Sequence, residues 1–307
     1  MTPTRVGVVD LGTNSTRLLV ADVEGGSVRE LDRRLRITRL GESVDRDRRL
    51  VPAAIARVRR VLADYRVAIE ALGADRTLAI ATSAVRDAAN GLDFLGAIES
   101  ELGFETRLLS GDEEALTMFR GVASGRTVAD RTLVVDVGGG STELVLGGPG
   151  GVEFHVSLDL GCVRLTERFL AHDPPAPPEL EACSAFVRSL LERQVPAEVK
   201  PDTAIGVAGT VTTLATLDLG LDVEVPEHVH GHLMAAGWIA AEVDRLAEAT
   251  VAERRARPGI HPDRAPVIVA GAIVIRETLL HFGLELLEAS EHDIMHGAAL
   301  AAAESAE

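Results

Sequence analysis

The segment Arg5–Val20 reads RVGVVDLGTNSTRLLV, and the segment Arg131–Leu146 reads RTLVVDVGGGSTELVL. Eight of the sixteen positions are identical between the two segments. Each copy has an apolar run, the motif Asp-x-Gly-x-x-Ser-Thr and a second apolar run, which predicts a β-hairpin with a turn of small residues. A glycine-rich turn presents backbone N–H groups to an anion. The repeat therefore predicts two duplicated domains, each with one anion-binding turn.

The composition is that of a folded globular protein. The chain has 307 residues, of which 46% are hydrophobic, and a net charge of −16. This composition excludes a disordered or collagen-like chain, and the presence of only two cysteines excludes a disulfide scaffold. The acidic charge argues against a partner such as nucleic acid. With no leader and no apolar run of bilayer length, we expect a cytoplasmic protein without a membrane partner.

Positive charge is concentrated in one segment, Arg29–Arg60. This segment has 11 arginines and 5 acidic residues, a local charge of +6, so the rest of the chain carries −22. Arginine suits bidentate contact with phosphate, so the segment could serve a polyanion. The ordinary interpretation is a solvated strand and helix face, and the sequence leaves both open.

The remaining pattern predicts two α/β domains, 1–125 and 126–307, divided within the small, polar stretch Ser124–Asp130. In the first half we expect strands near 5–10, 16–22, 28–38, 76–82 and 105–109, and helices near 52–72, 86–102 and 112–124. In the second half we expect strands near 132–136, 142–147, 152–158, 203–208 and 266–270, and helices near 162–171, 179–194, 211–217, 232–248, 267–282 and 292–304. The stretch 267–270 fits either element, because periodicity does not decide so short an apolar run.

A third glycine turn follows the apolar stretch Ala204–Ala208. It reads GTVTT at Gly209–Thr213 and precedes an apolar helix. A strand, a Gly-Thr turn and a helix N-terminus together form an anion site. The alternative is a threonine N-cap after a tight turn.

Six pieces of the chain, taken in order, resemble one family. They are DLGTNS at Asp10–Ser15, ATSAVR at Ala81–Arg86, SGDEEA at Ser110–Ala115, DVGGGSTE at Asp136–Glu143, AGTVTT at Ala208–Thr213, and the stretch Arg264–Gly271. In combination they resemble the exopolyphosphatase and guanosine pentaphosphate phosphohydrolase (Ppx/GppA) family over essentially the whole chain. Thr13 and Ala208 stand where serine is commoner in that family.

The resemblance implies an α/β fold of two actin-like domains around a central cleft. These domains are ribonuclease H-like, as in the sugar kinase, heat-shock and actin superfamily. By the same analogy, we expect the C-terminal helix, about 292–304, to pack back on the first domain, and the chain to form a homodimer. The chain ends before the extra C-terminal domains of long family members, so we expect a short groove that favours short polyphosphate. His292-Asp293 is a bare dipeptide, which we interpret as structural.

The resemblance assigns the general base to Glu114 and a catalytic phosphate contact to Arg86. Ser110 and Glu113 fit a capping box, in which Glu113 folds back on the helix start and leaves Glu114 to project elsewhere. Without the resemblance, both glutamates would be interpreted as favourable contacts with the helix dipole.

Carboxylates and glycine turns supply the predicted metal and phosphate sites. Asp136 and Glu143 flank the triple-glycine turn and suit Mg²⁺, which prefers oxygen ligands. Asp10, the counterpart of Asp136, is expected to join the metal directly or through water, or to bond its own backbone as a turn residue. The expected phosphate-binding residues are Gly12, Thr13, Asn14, Ser15, Gly138, Gly139, Gly140, Ser141, Gly209 and Thr210.

The predicted activity is Mg²⁺-dependent release of terminal orthophosphate from inorganic polyphosphate. One alternative is 5′-phosphohydrolysis of guanosine pentaphosphate, because both substrates have a terminal anhydride. A second is an ATP-dependent kinase of the same superfamily, and a third is a non-catalytic sensor that binds polyphosphate or guanosine tetraphosphate. No cysteine or acidic cluster completes a zinc site with His228, His230 and His232, so we expect these to have a role in a loop or at the domain surface. We expect Cys162 and Cys183 to be small buried residues.

Overall fold

The computed structural model describes residues 3–304, which form two compact units. The first unit contains the chain up to Thr127 together with the segment from His292 onward, and the second is Val128–Glu291. The predicted outer limits at residues 1 and 307 lie outside the described residues. Among the helices of residues 3–304, none has the length and apolar character needed to cross a membrane.

The first unit contains one five-stranded sheet. Its strands are β1 (Thr4–Leu11), β2 (Ser15–Glu24), β3 (Ser27–Ile37), β4 (Arg76–Ala81) and β5 (Glu105–Leu108). Its first five helices are α1 (Val44–Asp47), α2 (Pro52–Ala71), α3 (Ser83–Arg86), α4 (Gly91–Leu102) and α5 (Gly111–Val122). The strand order is β3-β2-β1-β4-β5, in which β1, β2 and β3 are antiparallel neighbours and β1, β4 and β5 are parallel.

Helix α2 shows how the sequence pattern builds this unit. Pro52 stands at its first position, where no intrahelical N–H bond is lost. Its apolar stripe, which includes Val58, Leu62 and Tyr65, is buried in the core of the first unit. The Tyr65 hydroxyl donates a 3.0 Å hydrogen bond to the Thr16 carbonyl of β2, and burial raises the pKa of Tyr65 to about 12. The helix is therefore fixed to the first hairpin by both packing and a buried hydrogen bond.

The second unit contains a six-stranded sheet. Its strands are β6 (Thr132–Val137), β7 (Thr142–Gly148), β8 (Gly151–Leu158), β9 (Thr203–Val207), β10 (Leu233–Ala235) and β11 (Leu286–Ala289). Its helices are α6 (Cys162–Phe169), α7 (Pro177–Gln194), α8 (Ala208–Asp218), α9 (Pro226–Val229), α10 (Ala236–Glu248), α11 (Val251–Ala256) and α12 (Ile268–Phe282). The strand order is β10-β11-β9-β6-β7-β8.

The two sheets share one topology. In each unit three antiparallel strands come first, and two further strands then extend the sheet parallel to the first strand. The second sheet has β10 as an additional edge strand. This repeated order confirms the predicted fold class, two α/β units of the actin-like, ribonuclease H-like kind. The cleft that the resemblance implies stays a prediction.

The parallel strands bring the sequence motifs of each unit together. Leu11 pairs with Ala81, and Ala81 pairs with Leu108, so three motifs follow the carboxyl ends of adjacent strands in the first sheet. In the second sheet Asp136 pairs with Val207, which brings the triple-glycine turn beside the Gly209 turn. Ligands of open α/β sheets bind outside the carboxyl ends of the strands. Each unit therefore has one edge suited to a ligand.

The C-terminal helix α13 (Ile294–Glu304) belongs to the first unit and packs against α5 and β1. Arg120 of α5 forms an ion pair with Glu304, and Arg76 donates a 3.1 Å hydrogen bond to the Ala302 carbonyl. The stretch 267–270, which the sequence left between strand and helix, lies in α12 apart from its first residue, the N-cap Val267. The sequence pattern missed the short strands β10 and β11.

Candidate active site

In the first turn, between β1 and β2, the carbonyls accept hydrogen bonds within the protein, and the N–H groups of two residues donate none to any described residue. The Gly12 N–H donates a 3.0 Å hydrogen bond to the Ser15 carbonyl and closes the turn. The carbonyls of Thr13 and Asn14 accept hydrogen bonds from the segment that follows β3. Within residues 3–304, the N–H groups of Thr13 and Asn14 donate to no other group. These two N–H groups, rather than that of Gly12, are therefore suited to phosphate.

The short helix α3 joins the first three motifs. The Ser83 and Thr13 hydroxyls share a buried hydrogen bond of 2.9 Å, which links α3 to the first turn. Three residues later, Arg86 Nη1 donates to the Leu109 carbonyl at 2.8 Å and to Glu114 Oε2 at 3.1 Å. The structure thus brings the first turn, Arg86 and Glu114 together through one helical turn.

The two glutamates at the start of α5 have different environments. Ser110 and Glu113 form the predicted capping box, so that prediction is confirmed. The Ser110 N–H and then Arg107 hold the pKa of Glu113 below its ordinary value. Glu114 is only 7% exposed and faces Arg86 instead. Glu113 therefore caps the helix start, and Glu114 is a buried carboxylate beside an arginine.

Asp10 is held by an arginine on the opposite strand. Arg17 Nε and Nη2 lie 2.9 and 2.8 Å from Asp10 Oδ2, and Arg17 Nη1 forms an ion pair with Asp293. Asp10 Oδ1 is buried and has no hydrogen-bond partner in the described part of the chain. Burial raises the pKa of Asp10 although Arg17 opposes the shift. The unsatisfied oxygen is the atom through which Asp10 could meet water or a cation.

Asp293 connects α13 to this pair. Burial alone would raise the pKa of Asp293, but Arg17 and His296 outweigh burial and hold it well below its ordinary value. His296 Nε2 lies 3.2 Å from Glu30 Oε1, and the His296 ring stacks on His292 with centroids 4.2 Å apart. The dipeptide His292-Asp293 therefore lies in a buried charge network. No three His, Cys, Asp or Glu side chains of residues 3–304 are arranged to hold a metal ion.

The second turn is held from behind by α6. The Gly138 N–H donates to the Ser141 carbonyl at 3.0 Å, as its counterpart does in the first turn. The first N–H groups of α6 donate to the Gly138 and Gly139 carbonyls, and Arg164 Nε donates to the Gly140 carbonyl at 2.7 Å. Sequence reasoning did not assign this role to Arg164. Because the carbonyls are consumed, the turn presents its N–H groups to a ligand.

Asp136 and Glu143 face each other across the second hairpin. They are directly paired in the β6–β7 register, and their exposures are 7% and 1%. The Ser157 hydroxyl of β8 donates a 2.7 Å hydrogen bond to Glu143 Oε1. Carboxylate oxygens are the protein ligands that Mg²⁺ prefers. The residues present therefore fit Mg²⁺, which commonly takes one or two carboxylates, with water and phosphate completing its shell.

The third turn begins α8 with strained backbone and a neighbouring arginine. Ala208 has φ of 65°, and no side chain caps the helix start. A Cβ atom on Gly209 would lie 1.0 Å from Arg264 Nη1, so the lack of a side chain gives the guanidinium its place. Arg264 lies in a stretch that the resemblance included without a role. Its contact with Gly209 was not visible in the sequence.

Of the three clustered histidines, His228 lies in the short helix α9 rather than in a loop, and the other two have structural partners. His232 Nε2 lies 2.7 Å from Asp218 Oδ2, and His230 Nδ1 accepts a hydrogen bond from the Glu291 N–H. Cys162 and Cys183 are buried as predicted, and burial raises their pKa values to about 11 and about 12. These residues have the environments of structural groups.

The chain is similar to known phosphatases over its whole length. The model of the Ppx/GppA phosphatase family matches residues 8–306. Exopolyphosphatase 2 of Mycobacterium tuberculosis is 40% identical over 320 residues, which cover 99% of this chain and 100% of that protein.

Solved structures agree with this result. The crystal structure of an exopolyphosphatase-like protein has a TM-score of 0.92 and 34% identity, covering 98% of this chain and 99% of the other. The Ppx/GppA family member of Aquifex aeolicus has a TM-score of 0.84 and 32% identity, covering 99% of both chains. The chain therefore belongs to the Ppx/GppA phosphatase family and is a phosphoanhydride hydrolase.

Proposed function

We propose that the protein is an exopolyphosphatase, which releases terminal orthophosphate from inorganic polyphosphate with Mg²⁺ and with Glu114 as the general base. The observation that carries this proposal is the separation of Glu114 from Glu113: one carboxylate closes the helix, and its neighbour is buried beside Arg86. The exopolyphosphatase of M. tuberculosis, matched over its full length, supports the choice of substrate.

The proposed reaction assigns a task to each group of the first unit. The N–H groups of Thr13 and Asn14 bind phosphate oxygens. Glu114 accepts a proton from a water molecule, whose oxygen bonds to the terminal phosphorus. The bond from that phosphorus to the bridging oxygen breaks, and the shortened chain leaves with that oxygen. Arg86 orients Glu114 and adds positive charge near the phosphate, which such reactions require.

In the second unit, we propose that Asp136 and Glu143 hold Mg²⁺ and that the turns at Gly139 and Gly209 bind phosphate. Neutralisation of phosphate charge is the chemistry that Mg²⁺ supplies when bound. Arg264, against Gly209, adds positive charge at the third turn. In the first unit, the unsatisfied Oδ1 of Asp10 supports a contribution through water or metal.

We further propose a preference for short polyphosphate and a place in the cytoplasm. The charge outside Arg29–Arg60 is −22, which disfavours the tracking of a long polyanion over the rest of the protein. Two buried, free thiols fit a reducing compartment.

The test is phosphate release from triphosphate, long polyphosphate, guanosine pentaphosphate and ATP, measured with Mg²⁺ and again with chelator. We expect the unaltered enzyme to release phosphate from polyphosphate. We expect Glu114→Gln to lower kcat by about 10²- to 10⁴-fold, because a general base contributes roughly that factor. Polyphosphate binding should persist in this variant.

Glu113→Gln is the matched control. It changes the same charge one residue away and retains a side chain that can complete the capping box. We expect its kcat to lie within about twofold of the unaltered enzyme, since the hydrogen bonds of the Glu113 side chain within residues 3–304 go to the helix start and Arg107. Equal loss of kcat in both variants would contradict the assignment of Glu114. Exclusive release from guanosine pentaphosphate would contradict the choice of substrate.

A further inference from the structure

The segment between β3 and α2, residues 38–50, lies directly on the first turn; we call it the arginine loop. The N–H groups of Thr38 and Arg39 donate to the Asn14 carbonyl at 3.1 and 2.9 Å, and the Gly41 N–H donates to the Thr13 carbonyl at 2.8 Å. These three bonds consume the turn carbonyls on one side. The arginine loop therefore borders the first turn on the side of its carbonyls, directly beside the proposed phosphate site.

The arginine loop also contacts the second motif. A Cβ atom on Gly41 would lie 2.2 Å from Thr13 Cγ2 and 3.2 Å from Ala84 Cβ, so only glycine allows this approach. At the other end of the loop, the Ala89 N–H donates to the Arg48 carbonyl at 2.8 Å. The arginine loop is thus fixed both to the first turn and to the region of α3.

The backbone of the arginine loop is strained at arginines. Among residues 3–304, five non-glycine residues have positive φ, and three of them, Arg39, Ser43 and Arg48, lie in this loop. A residue with a side chain seldom adopts this conformation, and such strain persists where surrounding contacts impose it, often at ligand sites. The hydrogen bonds to Asn14 and Ala89 impose it here. They also fix the Cα positions of two exposed arginines.

Charge pairing distinguishes Arg48 and Arg49 from most arginines of the basic segment. Six arginines of Arg29–Arg60 form ion pairs with nearby acidic side chains: Arg29, Arg33, Arg34, Arg46, Arg57 and Arg59. For these residues the ordinary interpretation, a solvated face, holds. Arg48 and Arg49 are exposed and form no ion pair with any group in the described residues. Their charge is available to a ligand.

We infer that Arg39, Arg48 and Arg49 form a subsite for the phosphate groups of inorganic polyphosphate that follow the terminal one. This inference rests on the proposed function, because it places the terminal phosphate at the first turn. Arginine pairs bidentately with phosphate, and a phosphate chain carries charge at every unit along its length. Nucleic acid fits less well, because a patch of three arginines on a protein of net charge −16 offers little to a duplex.

The test is direct binding of polyphosphate of about ten units, in chelator so that no turnover occurs, to a triple variant. Arg39→Asn and Arg48→Asn remove charge with a residue that tolerates positive φ, and Arg49→Gln completes the set. An exposed ionic contact contributes roughly a two- to threefold effect, so we expect affinity to fall about tenfold. Thermal melting checks that the fold is retained.

Controls and arms distinguish the possible outcomes. Arg193→Gln removes an exposed arginine of α7 and should leave affinity within about twofold. Replacing the three arginines by lysine should restore only part of the affinity, since lysine retains the charge but not the bidentate contact. In turnover assays of the triple variant, KM should rise more for the ten-unit chain than for triphosphate.

Equal affinity of the triple variant and Arg193→Gln would overturn the inference. Displacement of polyphosphate by a single-stranded oligonucleotide of equal charge would overturn it as well, in favour of a nucleic-acid surface. If the unaltered protein binds polyphosphate but does not hydrolyse it, the proposed function fails, and the binding comparison still decides whether the three arginines form the subsite.

Discussion

The two hairpins of the repeat have the same turn but differ in the charges that face each other across the strands. Gly12 and Gly138 close their turns with equivalent 3.0 Å hydrogen bonds to Ser15 and Ser141. In the first hairpin Asp10 pairs across the strands with Arg17, and in the second Asp136 pairs with Glu143. The two copies differ at the equivalent position that is Arg17 in the first and Glu143 in the second. The aspartate therefore faces an arginine in one copy and a second carboxylate in the other.

This difference shows how a duplicated hairpin can acquire two tasks. Opposite charges across a strand pair stabilise the sheet, and like charges destabilise it. The first hairpin contains its own cation and uses it to bind Asp293 of the C-terminal segment. The second hairpin places two buried carboxylates on directly paired residues, and carboxylate oxygens are ligands that Mg²⁺ prefers. We therefore propose that the first hairpin serves mainly as a structural anchor and the second mainly as the metal site.

The largest expected effect on stability comes from Arg17→Ala. This change leaves the buried carboxylates of Asp10 and Asp293 without their shared cation, which costs about 3–5 kcal/mol for a buried pair. Urea unfolding followed by circular dichroism measures the loss. Arg34→Ala, which breaks an exposed ion pair with Asp32 in the same sheet, is the control and should cost much less. Equal losses in the two variants would contradict the anchoring role.

The sequence predicted the hairpins because their pattern is local. Apolar runs on both sides of a Gly-x-x-Ser-Thr turn predict strand, turn and strand without help from distant residues. The capping box at Ser110 was predictable for the same reason. The strand β11 was missed, because the four residues LLEA form a strand through pairing with β9 and β10, which are distant in the sequence. The stretch 267–270 belongs to a helix rather than a strand. It comprises the N-cap and first residues of the 15-residue helix α12, and the periodicity of four residues alone could not show this.

The candidate site was predictable in its residue types but not in its pairing. The motifs identified the turns, Glu114 and the carboxylates. The ion pair between Arg17 and Asp293 spans 276 residues, and no local pattern indicates it. The same holds for Arg264 against Gly209. The substitution of glutamate for arginine between the copies was visible in the sequence, but its meaning depends on the cross-strand register.

A smaller effect on stability tests whether His296 of α13 contributes to the buried charges around Asp293 and Arg17. Burial lowers the pKa of His296, but Asp293 and Glu30 outweigh burial and raise it above its ordinary value. A raised pKa means that the folded state binds the proton more tightly. The resulting stability is present below about pH 6.5 and is lost as pH rises through the raised pKa.

We therefore expect the free energy of unfolding to fall between pH 6 and pH 9, by about 1.4 kcal/mol for each unit by which the His296 pKa is raised. The His296→Gln variant should lose this component. Urea unfolding at the two pH values measures it, and His172→Gln, an exposed histidine of the second unit, is the control. An unchanged pH dependence in His296→Gln would separate α13 from the network.

The smallest expected effect on stability tests the role of Ser157 in the second hairpin. Ser157→Ala removes the hydrogen bond to Glu143 Oε1 and should cost about 1 kcal/mol of stability. It should also weaken Mg²⁺ binding by about tenfold, because a hydrogen bond to a ligand carboxylate orients it. Calorimetric Mg²⁺ titration measures the second effect, with Ser189→Ala as the control. A loss of stability without any change in Mg²⁺ affinity would limit Ser157 to packing.

The most direct test of the metal assignment is Mn²⁺ binding, followed by electron paramagnetic resonance, in the full chain without substrate. We predict that Glu143→Gln, which removes one charge and keeps the shape of the side chain, weakens binding by about tenfold or more. Asp10→Asn should weaken it less, because Arg17 already neutralises that carboxylate. Unchanged Mn²⁺ affinity in Glu143→Gln, or a greater loss in Asp10→Asn, would contradict the division of tasks between the two hairpins.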